Sequence, residues 1–186
     1  MPKLHRKRSL LAKIESSYGT DPTATGSANY VEVVDLEIEP LASEEVEQET
    51  IRPYAGNYPV LLSQTRVNVS FGVYMVGSGS AGTAPKYDPI LKACGLSAAT
   101  VSSTSVTYTP STLASQDSVT LYVNYDGIRH KITGARGTFT ISCAVNEIPR
   151  INFEMQGIFN APTDTALPTV TKSNQPDPVL FKNGNT

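Results

Sequence analysis

Residues 118–159 read SVTLYVNYDGIRHKITGARGTFTISCAVNEIPRINFEMQGIF, and their period decides the fold class. Val119, Leu121, Val123 and Tyr125 alternate with Thr120, Tyr122 and Asn124. Asp126-Gly127 follows, a pair suited to a type I′ hairpin turn because both central residues of that turn need positive φ. The return strand is expected over 128–133, with Gly134 and Gly137 breaking the chain. The next strand sets Phe139, Ile141, Cys143 and Val145 on one face and Thr138, Thr140, Ser142 and Ala144 on the other. Asn146-Glu147-Ile148-Pro149 makes a turn. A last strand opposes Ile151, Phe153, Met155 and Phe159 to Asn152, Glu154 and Gln156. A period of two predicts half-buried antiparallel strands. The second face of the last two strands is polar yet nearly uncharged, where a face washed by solvent usually carries several Lys and Glu.

The same pattern extends upstream. Val67, Val69, Phe71, Val73 and Met75 share one face of a long strand over 60–76, with Asn68, Ser70, Gly72 and Tyr74 on the other. Over 30–39, Val34, Leu36 and Ile38 point in and Asp35, Glu37 and Glu39 point out, and Val33-Val34 signals a bulge. Residues 40–56 read as a long acidic loop, with room for a short helix. Asp88-Pro89 followed by Gly95 brackets one helix, with Asp88 as N-cap and Pro89 at its first position. Its apolar stripe is Ile90, Leu91 and Cys94. A short strand follows at 105–109. The expected architecture is therefore all-β with one flanking helix, an antiparallel sandwich or barrel-like domain. It divides into a basic N-terminal arm over 1–29, a β domain over 30–160 and a Pro-rich C-terminal arm or tail over 161–186. Leu4, Leu10, Leu11 and Ile14 show no β period and suit a helical turn or two.

A net charge of −2 over 186 residues gives no bulk attraction to nucleic acid. The charges are segregated, however. Lys3, Arg6, Lys7, Arg8 and Lys13 precede the first acid, Glu15, and no base interrupts the acids between Val31 and Ile51. Two cysteines are too few for a disulfide framework, and both fall in apolar patterns. Cys94 and Cys143 are thus expected to be reduced core residues, which suits assembly in a reducing cytoplasm. Ser9-Leu10-Leu11-Ala12 is too short for the apolar part of a signal peptide, and no run reaches membrane-spanning length. The loop Gly77-Ser78-Gly79-Ser80-Ala81-Gly82 lacks the Gly-Lys-Ser/Thr ending of a phosphate cradle. The acids of 44–49 have no His, Ser or Cys partner nearby, and His130 reads as a structural strand histidine. No zinc, calcium or nucleophile motif is present, so neither an enzyme nor a cofactor is expected.

Three stretches carry a resemblance. They are KIESSYGTDPT over 13–23, YDPILKACGL over 87–96 and DGIRHKITGARG over 126–137, with IPR at 148–150 and APT at 161–163 closing the series. In order and spacing they resemble the tail tube proteins, or major tail proteins, of long-tailed bacteriophages, from about residue 13 to residue 168. The resemblance implies hexameric rings stacked into a tube that carries DNA from capsid to host, with assembly in the host cytoplasm and a final place in the virion tail. It implies a tape-measure protein inside the growing tube, tail terminator and tail-tip proteins at its ends, and no enzymatic activity. The tail is expected to be of the non-contractile, siphovirus-like kind. The uncharged face then has a purpose, since a wall of Lys and Arg would bind phosphates and hold the DNA. The expected lining is Asn68, Ser70, Thr138, Thr140, Ser142, Asn152, Glu154 and Gln156, with Arg66, Arg136 and Arg150 at strand ends. Lys3, Arg6, Lys7 and Arg8 on one ring and Glu44, Glu45, Glu47 and Glu49 on the next are expected contacts between rings, since they are opposite in sign. The alternative is a tail adhesin or immunoglobulin-like decoration domain, which would place aromatics such as Tyr54 and Tyr58 at loop tips.

Overall fold

A computed structural model describes residues 7–48, 50–51, 53–57, 59–112, 116–172 and 176–182. Ten strands and one helix follow in order: β1 Arg8–Ile14, β2 Tyr30–Val31, β3 Val34–Glu47, β4 Val60–Tyr74, α1 Asp88–Ala93, β5 Leu96–Val101, β6 Ser105–Pro110, β7 Val119–Tyr125, β8 Ile128–Ser142, β9 Arg150–Phe159 and β10 Thr163–Asp164. The main sheet is antiparallel in the order β2-β1-β7-β8-β9-β4-β3, with β10 added on β8. β5 and β6 form a separate hairpin.

The sheet curls on itself. Arg8, at the start of β1, donates from Nη1 to the Leu36 carbonyl of β3 at 2.9 Å, joining strands near opposite ends of the order. One core lies between the two halves. Leu10, Ala12, Val119, Leu121 and Val123 supply one wall, and Val67, Val69, Phe71, Ile151, Phe153 and Met155 supply the other. Ile90, Leu91 and Ala93 of α1 complete it. Phe71 and Phe139 flank Phe153 with ring centroids at 5.4 and 6.2 Å.

The curl has a local cause in β8. This strand continues through both glycines that were expected to break it. Residues 128–135 pair with β7, while 132–133 and 136–142 pair with β9, so that only the part beyond Ala135 leaves β7. The register with β9 slips between Thr133 and Arg136. Gly134 sits there with φ +61, a conformation that costs an L side chain energy. Gly137 is needed for space, since a Cβ there would lie 2.1 Å from the Glu154 carbonyl oxygen. The bulge lets one strand serve both layers.

Several expectations change. Residues 8–14 form a strand of the main sheet instead of a helical turn in an arm. β1 shows no alternation because Leu10 and Ala12 face the core while Leu11 lies under Ala24 and Tyr122 on the other side. A strand covered on both faces reads as a continuous apolar run. β7 is likewise buried on both faces, not half-buried. The acidic loop is mostly strand. β3 and β4 extend as a two-stranded ribbon in which Glu44, Glu45, Val46 and Glu47 pair with Ser63, Leu62, Leu61 and Val60. The register of β3 slips between Val34 and Glu37, past Val33-Val34, and Asp35 has φ +53. Asp88 is the first helical residue and not the cap; its carboxylate meets Lys92 at 2.9 Å and the Tyr108 hydroxyl at 2.8 Å. β5 was not expected at all. Past β10, the C-terminal segment hydrogen-bonds the body at Gly26 and at Glu147.

Cys143 is a further correction. It is exposed, because β8 ends at Ser142 and overhangs the core from Ile141 onward. The faces of the strand are nonetheless as expected, with Phe139 packed on the core and Thr138 and Thr140 outside. Cys94 packs against the core with its thiol 3.7 Å from Met155 Sδ, and burial pushes its pKa up to about 12. A thiol reagent at neutral pH is therefore expected to label one cysteine per folded chain, Cys143, and to reach Cys94 only on unfolding. Peptide mapping after a short pulse would reveal any prompt labelling of Cys94, which would place it outside the core.

Candidate functional site

The feature that stands apart from the core is the outer face of four strands, β8 from Arg136 onward, β9, β4 and β3. Their registers set the face out in rows. Tyr74, Arg150 and Ser142 form one end row, followed by Gly72, Asn152 and Thr140. The middle row is Glu37, Ser70, Glu154 and Thr138. Next come Glu39, Asn68, Gln156 and Arg136, and then Ala42, Arg66 and Ile158. All eight residues expected to line a channel therefore share one surface. Glu37 and Glu39 join them from β3.

The rows are tied laterally. Asn68 Nδ2 donates to Glu39 Oε2 at 2.7 Å, and Gln156 Nε2 donates to Asn68 Oδ1 at 3.0 Å. These bonds fix the amides without sealing the face, which remains an open groove of about 760 Å³. The acids Glu37, Glu39 and Glu154 occupy the central rows. Arg150 and Arg66 stand in the end rows, whereas Arg136 shares the row of Glu39 at its β8 edge. Arg150 bonds Asp35 at 3.1 Å and lies over the Tyr74 ring at 5.4 Å. Arg136 Nη2 donates to the Gln116 carbonyl at 3.0 Å, and its guanidinium covers the Tyr18 ring at 5.0 Å. No lysine belongs to these rows. Chemically this is a hydrated surface with no lysine, on which three acids, Glu37, Glu39 and Glu154, are matched in number by Arg66, Arg136 and Arg150.

The two edges of this four-stranded unit are alike in one respect. Among the described residues, β8 beyond Ala135 pairs with β9 alone. Among the described residues, β3 from Glu37 onward pairs with β4 alone. Each presents a row of backbone donors and acceptors on its outer side.

The expected contacts between rings fare differently. Lys3, Arg6 and Glu49 lie outside the described residues. Lys7 meets Asp126 at 3.6 Å, and Arg8 is engaged with Leu36 and stacks on Tyr125, so both are used within the subunit. Glu44, Glu45 and Glu47 stand exposed on the ribbon, where Leu41, Val46, Leu61 and Leu62 are also about half exposed. Tyr54 is exposed at the ribbon's end, and Tyr58 lies outside the described residues. Among the described residues, no three His, Cys, Asp or Glu side chains gather as metal ligands would. His130 packs edge-on against Tyr125.

Sequence reasoning missed a second cluster, on the far side of the sheet. Glu15 is buried and accepts four hydrogen bonds, from Ser118 Oγ at 2.7 Å, Thr120 Oγ1 at 2.6 Å, Gly134 N at 2.7 Å and Gly19 N at 2.8 Å. Asp21 accepts from the Tyr122 hydroxyl at 2.6 Å and pairs with Lys131 at 3.4 Å. These bonds strap residues 15–24 across β7 and β8.

The sequence matches the family described as "Phage tail tube protein" over residues 6–186. No curated protein matches it in sequence. Among solved structures, the cap that terminates the tube of the anti-feeding prophage is similar at a TM-score of 0.50, with 10% identity, over 89% of this chain and 93% of that one. A chain of the anti-feeding prophage baseplate aligns at 0.46 with 7% identity, over 90% of this chain and 97% of that one. At 10% identity the likeness to the cap is one of fold.

Proposed function

We propose that this chain, which belongs to the phage tail tube protein family, builds the tube wall by joining the open edge of β8 in one copy to the open edge of β3 in the next. The observation that carries the proposal is the four-stranded face with its two unpaired edges. Four alternating strands make β8 and β3 antiparallel, so the joint between copies is an ordinary antiparallel ladder. Repetition around an axis closes the sheet and removes every edge. Six copies would supply about 24 strands, and at a spacing of about 4.8 Å and a tilt of about 40° they close into a barrel about 50 Å across. That leaves a bore wide enough for a DNA duplex once side chains are in place. The polar rows would then face the bore, and the core, α1 and the β5–β6 hairpin would lie outside.

In this reading the wall does no chemistry. Its side chains hydrate the bore and keep phosphates from settling, while a tape-measure protein fills it during assembly in the host cell. Terminator and tip proteins would cap the two ends of the tube. Rings stack through the acidic ribbon, with Lys3 and Arg6 of the neighbouring ring as its counterparts in charge. Because β1 begins at Arg8, trimming must stop at residue 6 if the fold is to survive.

The direct test is assembly. Purified chain concentrated at neutral pH is expected to form hollow tubes visible by negative-stain microscopy. A chain that stays monomeric or trimeric at every concentration and salt would favour the decoration-domain alternative.

A further inference from the structure

Past β10 the C-terminal segment crosses the body and touches it at three separate places. At the first it passes so close to Gly26 that a Cβ there would lie 2.3 Å from the Thr169 carbonyl oxygen. Thr171 N then donates to the Gly26 carbonyl at 3.3 Å. At the second, Lys172 meets Glu32 at 3.4 Å. Beside that pair, Pro176 and Pro178 stand with Val73, Tyr74 and Val76 around a cavity of only about 40 Å³. At the third, Phe181 bridges to the turn after β8. Its N–H donates to the Glu147 carbonyl and its carbonyl accepts from Asn146 N, both at 2.9 Å.

The last two places lie at one end of the four-stranded face. β4 runs from Val60 in the ribbon to Tyr74, so the row of Tyr74, Arg150 and Ser142 marks the end opposite the ribbon. Just beyond that row, Met75 N donates to the Pro149 carbonyl. This end is apolar and only partly covered, with Met75 47%, Ile141 52% and Val145 63% exposed. The segment lies here without burying itself, since Val179 is 76% and Leu180 48% exposed. Its hold is weak. The Lys172–Glu32 pair is largely in water, where ion pairs contribute little, and the backbone bonds of residues 176–182 come from Phe181.

We propose that residues 176–182 are a self-cap, an autoinhibitory contact that holds the free chain back from stacking. The proposal rests on the stacking of rings as read above and adds its control. Where rings meet through the ribbon at one end of the subunit, the next ring sits at the other end. That is the end which residues 176–182 occupy. A capped chain cannot take a ring there, so its apparent affinity is the intrinsic one scaled by the fraction of chains that are open. Release is easy because Val179 and Leu180 are already in water. An arriving ring offers more cover to Met75, Ile141 and Val145 than the segment does, and so displaces it.

Three chains test this over a range of concentrations, with tubes collected by pelleting and checked by negative-stain microscopy. They are the unaltered chain, the chain shortened to residues 1–171, and Phe181→Pro, which keeps its full length but loses the N–H that bonds Glu147. With about nine chains in ten capped, either change lowers the concentration needed for tubes about tenfold. Phe181→Pro carries the test alone if the shortened chain does not fold. A folded shortened chain that needs as much protein as the unaltered one, or more, would overturn the self-cap. So would a Phe181→Pro chain that assembles no more readily than the unaltered one. In both cases tubes of the unaltered chain leave the wall reading standing. Folded chains of all three kinds that never form tubes would remove the wall reading, and the self-cap with it.

Discussion

Replacing Glu15 with Ala is expected to destabilise the fold by about 3–5 kcal/mol, because four buried donors lose their acceptor at once. The hydroxyls of Ser118 and Thr120 can rotate to other partners. The amides of Gly19 and Gly134 cannot, and Gly134 sits at the bulge on which the curl of the sheet depends. Glu15→Gln should cost less, about 2–3 kcal/mol, since it keeps one acceptor but turns an amide NH2 toward two donors. The pH dependence follows from the same contacts. Burial raises the pKa of Glu15, but the hydrogen bonds from Ser118, Thr120, Gly134 and Gly19 outweigh it and hold the carboxyl below its ordinary 4.5. The folded value is thus below the unfolded one. The stabilisation is complete above about pH 4.5 and is lost as pH falls through the folded value. Asp21 behaves alike: burial raises it, and Tyr122, Thr23 and Lys131 bring it below its usual value. Urea melts of the unaltered chain and Glu15→Gln between pH 7 and pH 3 should converge as acid is added. A constant gap between the two across that range would show that ionised Glu15 contributes nothing.

That cluster marks where sequence reading ends. Glu15 lies in the stretch 13–23 on which the family resemblance rests, yet nothing local gives it a task. Its partners Ser118, Thr120 and Gly134 are 103, 105 and 119 residues away. The eight residues of the shared polar face were legible for the opposite reason. A period of two is local, and one polar side chain every second position declares its own face. Legibility failed wherever the period failed. β1 is covered on both sides, so RSLLAKI shows no alternation. β5 is built from Ser, Ala and Thr, whose contrast is too weak to read. The ribbon of β3 and β4 has no core beneath it, so Glu44, Glu45 and Glu47 look like loop. Gly134 and Gly137 suggested a break because a bulge and a close approach use the same residue as a turn. Cys143 followed the pattern of Phe139 and Ile141 past the point where the core ends, and periodicity carries no information about where that is.

Lysine in place of Thr140 or Asn152 is expected to leave the tube intact and to slow DNA ejection strongly. Both positions are exposed and lie opposite one another on β8 and β9, so the change costs the strand only about 1 kcal/mol or less. In the proposed hexameric ring each substitution would add six cations to the bore, and the stack would repeat them along its length. Every lysine offers the passing duplex a phosphate contact, and log affinity grows with the number of contacts made at once. Friction of this kind is electrostatic, so raising salt should partly restore the rate as counterions compete. Glutamate at the same positions extends what Glu37, Glu39 and Glu154 already do on this face, and those variants should eject nearly normally. The measurement is the ejection rate of virions carrying each variant, at low and at high salt. Equal rates for the Lys and Glu variants would show that Thr140 and Asn152 face away from the bore. Failure of both variants to form tubes would put these residues inside a subunit joint, and the four-stranded face would then be a contact surface instead of a wall.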